Sequence, residues 1–83
     1  MKKEVLQEEI RQIAELFYQQ KSKEGYQRMQ ELIADLSQYV SAIEEANRQQ
    51  ELLEALTEAL TAMQEQDTTL LADILQYELL EKL

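Results

Sequence analysis

The chain has 83 residues and a formal net charge of −9, with no cysteine, no histidine, no proline and a single glycine. A domain of this length buries roughly 60–65% of the surface its unfolded chain exposes, so its stability is marginal without reinforcement. The composition excludes a disulfide staple and a zinc site built from thiolate or imidazole, which leaves helix packing or self-association.

Alanine, leucine, glutamate, glutamine and lysine dominate, the strong helix formers, and strand alternation appears nowhere. The expected fold class is all-α. The first helix reads from about residue 3 to 20. Leu6, Ile10, Ile13 and Phe17 form its 4-3-4 stripe, widened by Val5, Ala14 and Leu16. The break falls in QKSKEG, with Ser22 as the N-cap candidate of the next helix. Gly25 stands in the first turn of that helix, where its propensity cost is smallest and a close helix approach is allowed.

The second helix, about 23–46, carries Tyr26, Met29, Ile33, Leu36, Val40 and Ile43 in 3-4-3-4-3 steps, flanked by Leu32 and Tyr39. Continued past residue 46, that seam would bury Asn47, Gln50, Glu54, Thr57 and Thr61. Leu52, Leu53, Leu56, Leu60 and Met63 would meanwhile lie on nearly the opposite side. A turn near residues 45–48 resolves the conflict, with Asn47 and Gln50 in capping-box spacing. The alternative keeps the two helices continuous and buries both faces in a homodimer. The third helix then spans about 48–64. Asp67 caps a fourth over about 68–82. Turns this short force neighbours antiparallel, so the expected architecture is a small up-down-up-down four-helix bundle over residues 1–83.

Most familiar chemistry lacks its parts. No histidine or cysteine can activate a nucleophile, no Gly-rich loop can cradle phosphate, and the Glu-x-x-His ligands of di-iron bundles are missing. Neither enzymatic activity nor a cofactor is expected. Glu8-Glu9, Glu44-Glu45 and Glu51 with Glu54 have the spacing of solvated helix faces. A magnesium site from Glu51, Glu54 and Glu58 would be weak without fixed geometry. Tyr18, Tyr26, Tyr39 and Tyr77 read as core-edge residues with hydroxyls in water, or as the rim of a groove for a partner peptide.

The charge is unevenly spread. Residues 1–28 carry six of the eight bases and sum to +1, whereas residues 29–83 sum to −10. Nucleic acid and anionic membrane surfaces would be repelled; a basic partner protein would be attracted. No apolar run approaches the ~20 residues of a membrane span. MKKEVLQEEI has neither an apolar h-region nor a cleavage site, so a cytoplasmic location is expected.

The last helix, TLLADILQYELLEKL, is the least regular. At 100° per residue, Leu70, Leu71, Ile74, Leu75 and Tyr77 form an inward stripe, and Glu78 falls in its middle. Leu79, Leu80 and Leu83 fall on the far side. Glu78 would then emerge at the bundle rim or pair with Lys3 or Arg11. Tyr77, Glu78, Leu79, Leu80 and Leu83 are the candidate partner-binding residues, with Leu79, Leu80 and Leu83 as a second apolar surface for a homodimer or another protein.

DTTLLADILQYELL, with KEGYQRMQELI upstream, resembles a group of small, uncharacterised helical proteins of Gram-positive bacteria whose chains end in L-A-D-[I/L]-L-x-Y-E-L. The specific match covers about the last 15 residues. The resemblance implies an all-helical fold without an established activity and an accessory or chaperone role near motility; its matching polar positions are Asp73, Tyr77 and Glu78. The expected function is protein binding as an accessory, adaptor or chaperone-like subunit. The alternative is an acidic inhibitor (an antitoxin, an immunity protein or a nucleic-acid mimic) that blocks a basic partner.

Overall fold

In the computed structural model, which describes residues 2–83, the first apolar stripe becomes the inner face of helix α1 (Lys3–Tyr18), where Leu6, Ile10, Ile13, Ala14 and Phe17 are buried. Helix α2 (Ser22–Ser41) buries Gly25, Met29, Leu32, Leu36 and Val40. The expected seam residues Tyr26, Ile33 and Ile43, with Tyr39, line the edge of the core instead. The described residues form an all-α four-helix bundle without strands.

Two cross-helix contacts set the pairing of α1 with α2. Phe17 and Tyr26 meet edge to face with centroids 5.2 Å apart. Arg28 reaches back to Gln12 at 2.8 Å and Glu9 at 3.5 Å. Residues late in α1 thus meet residues early in α2, as antiparallel packing requires. Gly25 makes this approach feasible. A Cβ there would stand 2.8 Å from Cε1 of Phe17, inside van der Waals contact.

α1 ends in a Schellman motif. Gln20 adopts φ 62°, its N–H donates to the carbonyl of Phe17, and the N–H of Lys21 donates to that of Leu16. The same pattern closes helix α3 (Ala46–Gln64) through Gln66 (φ 58°), whose N–H donates to Met63, and through Asp67, which donates to Ala62. Glutamine in the left-handed region is strained, since a Cβ there crowds the backbone. Both turns hold it because the motif satisfies carbonyls at the helix end.

The second and third helices are separate, but their caps differ from expectation. α2 starts at Ser22 with Lys21 at its N-cap, and no side chain caps it. α3 begins at Ala46 with Glu45 at the N-cap, and the Asn47–Gln50 capping box does not form. Gln49 explains part of this. Its side-chain amide donates to the Val40 carbonyl at 3.0 Å, so the start of α3 serves the exposed end of α2. Asp67 does cap the last helix, accepting from the Leu70 N–H at 3.1 Å.

That last helix is continuous but not uniform. It runs as α4 (Thr68–Asp73), a π-helical turn (Ile74–Leu79) and a closing turn, α5 (Leu80–Lys82). Leu71, Leu75, Leu79 and Leu83 recur every four residues, and all are buried. On an unbroken α-helix that spacing drifts by about 40° per step, or about 120° from Leu71 to Leu83. A π turn closes with i→i+5 bonds and takes in extra chain, so each residue advances by less than 100° and the four leucines stay on one face. The reading that Leu79, Leu80 and Leu83 form a second, outward surface is therefore corrected. Leu79 and Leu83 belong to the core, and Leu80 packs against it. Burying a leucine fully is worth about 1.5–3 kcal/mol, which makes the inward placement the stable one.

The C-terminal helix packs against α1 and α3. Tyr18, at the end of α1, donates to Asp73 at 2.7 Å. Arg48, at the start of α3, donates to the Leu83 carbonyl at 2.8 Å. These contacts pair early with late residues again, as in an up-down-up-down bundle. No described helix is long and apolar enough to cross a membrane.

Candidate functional site

α3 buries Leu52, Leu56 and three alanines, Ala55, Ala59 and Ala62, toward the bundle. Such small side chains bring little bulk to the seam with the C-terminal helix. The outer edge of that seam opens into a groove of about 600 Å³. Its apolar part comes from both helices. Ala62 and Ile74 are almost fully buried and form the floor, while Leu70 (44% exposed) and Tyr77 (61% exposed) rise beside it. Leu70, Ile74 and Tyr77 stand at i, i+4 and i+7, so one edge of the C-terminal helix supplies three large apolar groups in a row.

Thr57 and Thr61 line the opposite wall. The hydroxyl of Thr57 donates to the Leu53 carbonyl at 2.8 Å, and that of Thr61 to the Thr57 carbonyl at 3.0 Å. With their hydroxyls turned to the helix backbone, both residues contribute methyl groups to the groove. The wall is therefore less polar than its residue names suggest.

Every charged residue that lines the groove is acidic: Glu58, Glu65, Asp73 and Glu78. Antiparallel packing puts Glu65 at the end near the α3–α4 turn and Glu58 with Glu78 at the other. The two ends lie seven residues apart along α3, about 10 Å at 1.5 Å per residue. Asp73 is held from outside by the Tyr18 hydroxyl. That hydrogen bond to a carboxylate, with some burial, pushes the Tyr18 phenol up from about 10 to about 12. At the other end the Glu78 carboxyl is pushed above its ordinary value, first by hydrogen bonding with Glu58, then by burial and by the repulsion of that neighbour; Lys82 acts the other way. One oxygen of Glu78 is buried without a hydrogen-bond partner. The expected pairing of Glu78 with Lys3 or Arg11 does not occur: the Arg11 guanidinium instead meets Glu8 at 3.4 Å.

Of the residues named from sequence, Tyr77 and Glu78 line the groove, whereas Leu79, Leu80 and Leu83 do not. Leu70 and Tyr77 were both expected on the inward stripe, and both prove exposed. Leu53, also expected on the inner face of α3, is 46% exposed. The α3 wall had no signal in the sequence, because two threonines and an alanine mark a groove only when another helix lies beside them. No group of three or more acidic side chains is placed to hold a metal ion among the described residues.

No curated protein and no solved structure matches the chain. A family match does cover nearly all of it, from residue 3 to residue 83. The chain that folds into this grooved bundle belongs to the family described as a domain of unknown function, DUF8042.

Proposed function

We propose that this protein is a non-enzymatic accessory or adaptor subunit, chaperone-like in holding a segment of a partner protein, and that it acts in the cytoplasm. The observation that carries this reading is the groove between α3 and the C-terminal helix, where Leu70 and Tyr77 stand exposed above an apolar floor. Exposed apolar groups aligned along a concave surface are a common basis for protein recognition. The core is purely apolar and contains no buried polar residue among those described, so the bundle reads as a scaffold that presents a surface. The resemblance of LADILQYEL to small helical proteins of Gram-positive bacteria supports an accessory role, with Tyr77 and Glu78 as the positions that both readings share.

Affinity capture with the full chain from its native cell, at low and at high salt, tests the proposal. A stoichiometric protein partner retained at high salt is the expected result, because apolar contact survives screening. A partner released completely by salt would favour an acidic inhibitor of a basic protein, and the absence of any stoichiometric partner would remove the accessory reading.

A further inference from the structure

We infer that the groove between α3 and the C-terminal helix receives an amphipathic helix of a partner protein whose apolar anchors are flanked by lysine or arginine. This deepens the accessory reading and rests on it for the partner being a protein. The argument is one of charge and shape. The four charged lining residues are all carboxylates, while the apolar groups lie between the two ends. Leu70, Ile74 and Tyr77 present a helical i, i+4, i+7 edge, the counterpart of a helix laid into a groove. The separation of Glu65 from Glu58, about 10 Å, corresponds to about two turns of partner helix. Its large apolar side chains would stand on that stretch, with a cation near each end.

Of the two buried side-chain oxygens without a partner, those of Tyr26 and Glu78, the Glu78 one lines the groove and fits the same occupant. Glu58 and Glu78 are two acids side by side at one end of the groove, and a guanidinium or ammonium between them would satisfy both. The second copy of this chain is a poor occupant. A two-fold contact through this surface would set the same four carboxylates against each other. Binding of an acidic or uncharged helix would leave the rim unpaired.

The test uses synthetic helical peptides of about four turns. One has two leucines at i, i+4 flanked by lysines; a second replaces the lysines with glutamates, and a third replaces the leucines with alanines. Backbone NMR shifts of the full-length protein map where each binds. The expected result is that the lysine-flanked leucine peptide perturbs residues 57–65 and 70–78, and that the other two bind at least tenfold more weakly. Glu58→Gln with Glu78→Gln should weaken the lysine-flanked peptide and narrow its preference over the glutamate-flanked one. Leu70→Ser with Tyr77→Ser should weaken it about tenfold. Both sets are partly or largely exposed, and circular dichroism checks that each variant stays folded.

Equal binding of the three peptides, or perturbations centred away from the groove, would overturn the inference. So would binding of the second copy, seen as concentration-dependent sedimentation abolished by Leu70→Ser with Tyr77→Ser. The outcomes separate the two readings. A native partner that still binds the Leu70→Ser, Tyr77→Ser variant leaves the accessory role standing and removes the groove. Groove binding of the peptide with no native partner does the reverse.

Discussion

The two halves of the bundle are built from different materials. In the α1–α2 half, large side chains fill the space between helices: Phe17 lies over Gly25 and against Tyr26, and Met29, Leu32 and Leu36 complete the contact. Six of the chain's eight bases lie there, and two of them meet acids: Arg11 meets Glu8 and Arg28 meets Glu9. In the α3–C-terminal half, alanines replace the bulk and the charged groups that line the groove are all carboxylates, with Lys82 acting on Glu78 alone. One half is closed at its seam and nearly neutral, with a polar recess beside Arg11 and Arg28, while the other is open to an apolar floor and acidic. Closure comes from residue volume and charge balance, so a seam lacking both can remain open without loss of the core beneath.

The core beneath the groove gives the hardest test of this contrast. Leu79→Ala should destabilise the protein by about 2–5 kcal/mol in a denaturant titration, because it leaves a cavity in a fully buried site. Leu80→Ala, at the edge of the core, should cost distinctly less. Equal and small effects would mean that the π turn does not bring Leu79 inside.

In the closed half, Gly25→Ala adds a methyl group where the Phe17 ring already stands at 2.8 Å. Overpacking costs about 1–3 kcal/mol, while helix propensity, reduced in a first turn, returns less than about 1 kcal/mol. A net loss of about 1 kcal/mol is expected by thermal unfolding, and Phe17→Leu should relieve it. An equal response of the two single variants and the double would show that the contact is not the tight one.

Much of the fold is legible in the sequence, for a physical reason. Residues 5–17 and 26–43 repeat their apolar groups at helical spacing, and the polar run Asn47, Gln50, Glu54 forbids the second helix from continuing. The caps were harder to read. Asn47 is a better capping residue than Glu45 on local grounds, yet Gln49 bonds the Val40 carbonyl and α3 starts at Ala46, two residues earlier than a cap at Asn47 would allow, so Asn47 already lies inside the helix. The C-terminal helix defeated the reading because a fixed 100° per residue cannot represent a π turn. That fixed angle turned Leu79 and Leu83 outward; Leu70 precedes the π turn and is exposed because it stands at the edge of the inward stripe rather than within it. Tyr77 and Glu78 were identified, but their neighbours on α3 were not, since a groove belongs to two helices and the periodicity of either one is silent about it.

The link from the closed half to the rim of the groove is the Tyr18–Asp73 hydrogen bond. Tyr18→Phe should cost about 0.5–1 kcal/mol, below the usual range for a bond to a charged group because both partners reach solvent. The Tyr18 phenol is raised in the folded state, so its contribution is complete below the ordinary value near 10 and is lost as pH rises through about 12. The phenolate absorbance removed by Tyr18→Phe should therefore belong to a late-titrating group. Titration of that group near 10 would break the link.

The smallest effect lies within the acidic rim. Glu78 is an acid whose value is raised by folding, so the folded protein holds its proton more tightly than the unfolded chain. Stability from this group is present below the ordinary value of 4.5 and declines as pH rises through the raised one. Glu78→Gln should consequently stabilise the protein at neutral pH, by less than about 1 kcal/mol at this partly exposed position, and leave it unchanged near pH 4. A destabilised variant at neutral pH would mean that Glu78 is paired after all.

The π turn also makes the inner and outer faces of one helix respond differently to a change in chain length. Deletion of Gln76 would put the core leucines in 4-3-4 spacing, the period of an unbroken α-helix, so the inner face could re-form without the wide turn. The outer face has no such freedom. It would lose one residue between Ile74 and Tyr77, and the i, i+4, i+7 edge would no longer exist. A shortened chain that folds as well as the natural one but no longer offers that edge would identify the additional residue as one the bundle itself can do without.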